Sequence, residues 1–333
     1  MSPTASETRP APPGSPVRWC PSVGRRLRLD SVESLGISTQ TLAERELDAA
    51  NWTLAADLAE YFLDEMTRIN NALYAWLGVI LDADGPSSAP DRPAERMVAA
   101  MRGFGPGDGD LAAVLQACAA HDADAAIRRL ELMRVRVAAV HDHLVWWIQH
   151  LLAGIAERHD DDAVREVMLI TYDLVWEARY AAWPDLTPLE RLQLSAETMR
   201  GHLSGPQRRG SFGIVDEPDR YTMVLDPCGA CGVLRNGDPD SGRDGCQPAG
   251  TRHPHAWAWN RTGVGWYAVH SPIVMEWLQM SQGRPPRRPL EGCDTNDPCR
   301  WFIYKDPAPA RPEHYAGVGF QPPGATDTSD HRL

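Results

Sequence analysis

Residues 187–206 read Thr-Pro-Leu-Glu-Arg-Leu-Gln-Leu-Ser-Ala-Glu-Thr-Met-Arg-Gly-His-Leu-Ser-Gly-Pro, and this stretch decides the fold. Thr187 suits an N-cap, Pro188 suits the first helical position, and Glu190 completes a capping box with Thr187. The predicted helix ends near Leu203, before Gly205-Pro206. Everything before this stretch has helical periodicity. After it Pro, Gly, Cys, His and Trp accumulate, and the acidic excess of the chain lies almost wholly before Pro206.

Upstream, Leu58, Phe62, Met66, Ile69, Leu73, Trp76, Leu77 and Ile80 recur at steps of three and four, predicting a helix over about Leu54–Leu81. Ile127, Leu130, Arg134, Val137, His141, Leu144 and Ile148 share the face of a second long helix, about Asp122–Glu157. A third spans Asp161–Ala182, opened by three Asp residues that suit the positive end of its dipole. Shorter helices are expected at Thr41–Asn51, capped by Thr41 with Glu44, and at Ala94–Arg102; Gly103–Gly109 reads as a break. Long helices joined by short loops predict a bundle over 38–205. Downstream, Ser211–Glu217 and Arg220–Asp226 flank Pro218-Asp219 as a β-hairpin. Arg300–Lys305 is a third strand and Ser271–Met280 a short helix. The expected fold class is α+β: a helical bundle, then a small loop-rich domain over 206–315, with disordered tails at 1–25 and 316–333.

The 333 residues carry a net charge of −12, with 43% hydrophobic and 23% charged residues, an ordinary globular balance. The acidic balance argues against a nucleic-acid partner, and the lack of a long apolar run argues against a membrane span. Met1–Arg18 lacks the pattern of a secretory signal, and seven cysteines form an odd count, so reduced thiols in the cytoplasm are expected. Lys305 is the one lysine beside abundant Arg, Ala, Gly and Pro, a composition that suggests a GC-rich bacterial genome.

Chemistry points to the block Asp226-Pro-Cys228-Gly-Ala-Cys231-Gly232, directly after the predicted hairpin. It is followed by Cys246, His253, His255, His270, Cys293 and Cys299. Thiolate and imidazole are the ligands zinc or iron prefers, and a Cys-x2-Cys turn offers two sulfurs to one ion. Cys228, Cys231, His255 and His270 are the candidate ligands. Glu276, six residues after His270, is a candidate general acid or base. Arg200 and His202, at the end of the last bundle helix, would face these loops, Arg200 holding a substrate carboxylate. Without metal, Cys228 reads as a nucleophile with His255 or His270 as its base, or the cysteines as simply buried.

Five segments together resemble a group of bacterial proteins without an assigned activity: Met199–Gly205, Asp226–Gly232, His253–Trp259, Gly263–His270 and Cys299–Asp306. The resemblance covers roughly residues 190–315 and implies a helical first half. Ala268 and Ser271 stand where that group has cysteines flanking the histidine, and Cys231 where it has glycine. Cys228 and His270 are shared. The expected function is a metal-dependent (zinc or iron) hydrolase or lyase acting on a small organic molecule, in specialised metabolism. The alternatives are a ligand- or partner-binding protein with a closed structural zinc site, and a metal-free cysteine enzyme.

Overall fold

The computed structural model describes residues 11–84, 108–306 and 311–322. The chain opens with an antiparallel pair, β1 (Val17–Cys20) and β2 (Arg25–Arg28), where a tail was expected. Val17 and Leu27 are fully buried. Ser15 donates to Asp57 at 2.7 Å, and Arg25 forks onto Glu197, so polar anchors offset the few apolar residues of this segment.

The helices follow: α1 (Val32–Leu35), α2 (Thr39–Asp48), α3 (Trp52–Asp84), α4 (Asp108–Ala119) and α5 (Ala123–Arg158). Ser38, three residues before Thr41, caps α2, so the expected Thr41–Glu44 box does not form. Helix α4 begins where a glycine-rich break was expected to continue. The helix expected at Ala94–Arg102 lies outside the described residues. Asp122 caps α5, its carboxylate accepting from the Ala125 N–H. The next helix is interrupted: α6 (Asp161–Thr171), a π-helical turn at Tyr172–Trp176, then α7 (Glu177–Tyr180). Helix α8 (Pro188–Gly201) carries the full Thr187–Glu190 capping box. Gly201 lets α8 approach α3: a Cβ there would lie 2.5 Å from Ile69 Cγ1 and 2.9 Å from the Glu65 carbonyl.

Beyond α8, strands β3 (Gly213–Asp216) and β4 (Arg220–Leu225) form the hairpin. A six-residue helix α9 (Cys231–Asn236) and the short pair β5 (Gly237–Asp238) and β6 (Arg243–Asp244) follow. Next come α10 (His270–Pro272), a second π-helical turn (Ile273–Trp277) and α11 (Leu278–Ser281). Strands β7 (Leu290–Glu291) and β8 (Cys299–Tyr304) complete an antiparallel sheet ordered β3-β4-β8-β7. In its register Leu225 pairs with Cys299, which brings the start of β8 to the end of β4 where the Cys-x2-Cys turn begins. Helix α12 (Pro312–Gly317) then packs Tyr315 and Val318 with Phe302 and Tyr304, within the region expected to end as a tail.

The change of character at residue 205 is a change of secondary structure within one packed body. A single apolar cluster runs from Trp76, Ile80 and Ile148 of the bundle into Met223, Trp266 and Ile303 of the following region. A second cluster joins Phe62, Met66, Val114 and Met133 at the other end of the long helices. The cysteine-bearing loops are thus seated on the bundle by the same burial that holds the bundle together.

Candidate active site

Where α3, α8, the two π-interrupted helices and the Cys-x2-Cys turn meet, they line a partly open cavity of about 70 Å³. Trp76, Trp176, Tyr180, Tyr267 and Trp301 supply its aromatic wall. π-Helical turns widen a helix and re-aim its side chains. Here one turn carries Trp176 and the other carries Val274 and Met275 to the cavity.

Cys228, Cys231 and Cys293 reach this cavity, and Cys299 stands behind Cys293. Cys231 is in hydrogen-bond contact with Cys228 and Cys293, and Cys293 with Cys299. The four thiols therefore lie close enough to perturb one another. Cys293 is held well below the usual thiol range, because Cys231 and Cys299 direct S–H groups at it. Cys299 in turn accepts from Trp301 Nε1 at 3.1 Å. Cys231 has one proton and two sulfur neighbours, and its own pKa is pushed well up by donating it. Cys228 is half-buried, the most accessible of the four, and the Cys231 contact lowers its pKa.

His202 enters the same cavity from the end of α8. Its Nδ1 lies 2.9 Å from Nε2 of the buried His141, whose Nδ1 lies 2.8 Å from Asp142 Oδ1. Arg208 Nη2 donates to that same oxygen at 2.7 Å. These contacts assign the tautomers. Asp142 accepts from His141 Nδ1–H, so His141 Nε2 accepts from His202 Nδ1–H, and His202 Nε2 keeps its lone pair. Burial, with His141 beside it, holds the His202 pKa well below the usual value, so this nitrogen is unprotonated at neutral pH. The turn bearing Cys228 is fixed against the same residue. The Gly229 backbone packs so closely on His202 that a Cβ there would sit 1.7 Å from the His202 carbonyl oxygen. His270 donates from Nδ1 to the Tyr267 carbonyl at 2.6 Å, and burial lowers its pKa.

Four of the residues singled out from sequence, Cys228, Cys231, His202 and His270, meet at this cavity. Three do not line it. His255 Nε2 lies 3.0 Å from Asp161 Oδ2 at the start of α6, and its ring stacks on Trp257 at 4.5 Å. Arg200 is spent inside the bundle: its Nε donates to Glu65 at 2.7 Å and its Nη1 to the Leu35 carbonyl at 2.8 Å. Glu276 accepts from Trp259 Nε1 at 2.9 Å and from the Leu290 amide at 3.2 Å, and burial pushes its pKa up to about 8. Among the described residues, no group of three or more His, Cys, Asp or Glu side chains is arranged as a metal-binding set.

Cys293 and Cys299 stood outside the expected ligand set, and His141 and Asp142 outside the expected site. A signal for His141 was present: a polar residue on the buried stripe of α5. Arg288, fully buried in the cavity wall, had no sequence signal. Searches with protein-family models, among curated proteins and among solved structures find no match to this chain.

Proposed function

We propose that the protein is an enzyme acting on a small organic molecule in this cavity, with Cys228 as nucleophile and His202 as its base. The observation that carries this reading is the Asp142–His141–His202 chain, which leaves one unprotonated nitrogen at the cavity that Cys228 also lines. His202 Nε2 takes the Cys228 proton, and the sulfur attacks an electrophilic carbon of the substrate. The proton held on His202 then passes to the departing group, and water releases the covalent intermediate with His202 again as base. His141 and Asp142 are positioning residues: they hold the tautomer and do not touch substrate.

The test needs no known substrate. The rate of Cys228 alkylation is followed against pH, with the exposed Cys246 of the same chain as internal reference. An assisted thiol reacts with an apparent pKa below the ordinary value of about 8.5, and His202→Gln raises it, leaving only the lowering due to Cys231. A Cys228 profile that matches Cys246 and ignores His202→Gln overturns the reading.

A second reading is favoured by the gathering of Cys228, Cys231, Cys293 and Cys299 near His270. A soft cation, zinc or iron, would suit these donors once the side chains turn to surround it. Elemental analysis separates the readings. The metal reading expects one bound equivalent, lost in Cys293→Ser. It becomes catalytic if chelation removes activity from folded protein, and structural if chelation unfolds it.

A further inference from the structure

The cavity wall contains Arg179 and Arg288 and no Asp or Glu. Arg288 is 2% exposed, and among the described residues it forms no ion pair. Its Nη1 donates to Ser195 Oγ at 2.9 Å and its Nη2 to Tyr180 Oη at 3.0 Å, while its Nε–H has no partner. The guanidinium lies over the Trp301 ring at 4.5 Å and the Trp183 ring at 5.4 Å. Neutral hydroxyls, the Met275 thioether at 3.2 Å from Nη2 and ring faces are thus all that offset a fully desolvated cation. Leaving a buried charge without a counter-ion is costly, and burial indeed lowers the Arg288 pKa to about 10. Several other buried arginines are answered by carboxylates, Arg200 by Glu65, Arg26 by Asp57 and Arg208 by Asp142, while Arg191 donates to the Trp183 and Pro184 carbonyls.

From this unanswered cation and the carboxylate-free wall we infer that the cavity binds a short organic carboxylate, whose anionic end pairs with Arg288 and whose reactive carbon lies toward Cys228. The planar fork of Arg suits a carboxylate, and the aromatic wall suits a short apolar body. Size restricts the choice. A cavity of about 150 Å³ holds benzene, so a space of about 70 Å³ takes a ligand nearer the size of acetate. This inference deepens the thiol reading above, since it names the substrate class of the same site, but the anion subsite stands on Arg288 and is tested separately.

Iodoacetate and iodoacetamide make the matched probes. Each alkylates a thiolate by the same displacement, in which an S–C bond forms, the C–I bond breaks and iodide leaves. They differ in carrying a carboxylate or a neutral amide. Rates at Cys228 and Cys246 are read from the modified peptides by mass spectrometry. We expect the iodoacetate/iodoacetamide rate ratio at Cys228 to exceed that at Cys246 by at least tenfold. Arg288→Met, which keeps an unbranched apolar stem, should erase the excess without lowering the melting temperature. Equal ratios at the two cysteines, or an excess that persists in Arg288→Met, overturn the inference. If Cys228 reacts with neither reagent, the thiol reading fails instead, and titration calorimetry with acetate against acetamide decides the anion subsite. Acetate binding that Arg288→Lys weakens at least tenfold supports it. Equal binding of acetate and acetamide overturns it.

Discussion

Glu276 offers the most quantitative test of how the fold treats its buried charges. Its carboxyl is 1% exposed and sits on the second π-helical turn, where it accepts from Trp259 Nε1 and the Leu290 amide. Burial, with Cys293 and Glu291 adding repulsion, raises its pKa from 4.5 to about 8. The folded protein therefore keeps this proton through a pH range in which the unfolded chain has already lost it. The unfolded state binds fewer protons there, so stability falls as pH rises from the unfolded value to the folded one. At about 1.4 kcal/mol per pH unit the full window amounts to about 5 kcal/mol, of which about 4 kcal/mol falls between pH 5 and pH 8. Glu276→Gln keeps the accepting oxygen and cannot ionise. Urea unfolding of both proteins across that range isolates the effect, because every other titrating group cancels in the difference. Wild type should lose about 4 kcal/mol relative to the variant between the two ends. A relative change below about 1 kcal/mol would mean that Glu276 is already ionised in the folded state, and the argument from burial would be refuted.

Asp142→Asn keeps its amide oxygen where Arg208 Nη2 and His141 Nδ1–H both donate and removes the negative charge that supports a proton on His202 through His141. Turnover should fall on the order of 10³-fold with little change in KM, and Cys228 alkylation should slow in parallel. Gly229→Ala drives a methyl group into the His202 carbonyl, a backbone atom that cannot swing aside. Chemical denaturation should show a loss of about 3 kcal/mol or more. Arg200→Met leaves Glu65 buried and unpaired and should cost about 3–5 kcal/mol, whereas Arg200→Met combined with Glu65→Gln should recover most of that loss.

The long helices were legible because their apolar stripes are regular, and α8 because Thr187, Pro188 and Glu190 act within one turn. The start of α2 was misread because Ser38 accepts from the Thr41 amide and so draws Thr41 into the first turn instead of leaving it to cap Glu44. The β1–β2 pair was illegible for a different reason: it is held by Arg25 and Ser15 reaching partners far along the chain, which no local pattern encodes. In the site, Cys228 and His270 could be brought together from residue type and turn chemistry alone. Cys293 and Cys299 required the register of β4 against β8, since Leu225 opposite Cys299 is what closes a gap of some seventy residues onto the Cys-x2-Cys turn. His255 shows the converse. Its neighbours in sequence suggested a ligand, but Asp161, almost a hundred residues earlier, captures its imidazole.

The carboxylate-free wall of the cavity lies inside a chain with a net charge of −12. A small anion in solution is therefore repelled by the molecule as a whole before it is attracted by Arg288. Repulsion between exposed charges fades with ionic strength, while a desolvated pair is screened much less. Capture of such an anion should quicken as salt is added, the reverse of an enzyme whose outer field draws its substrate in.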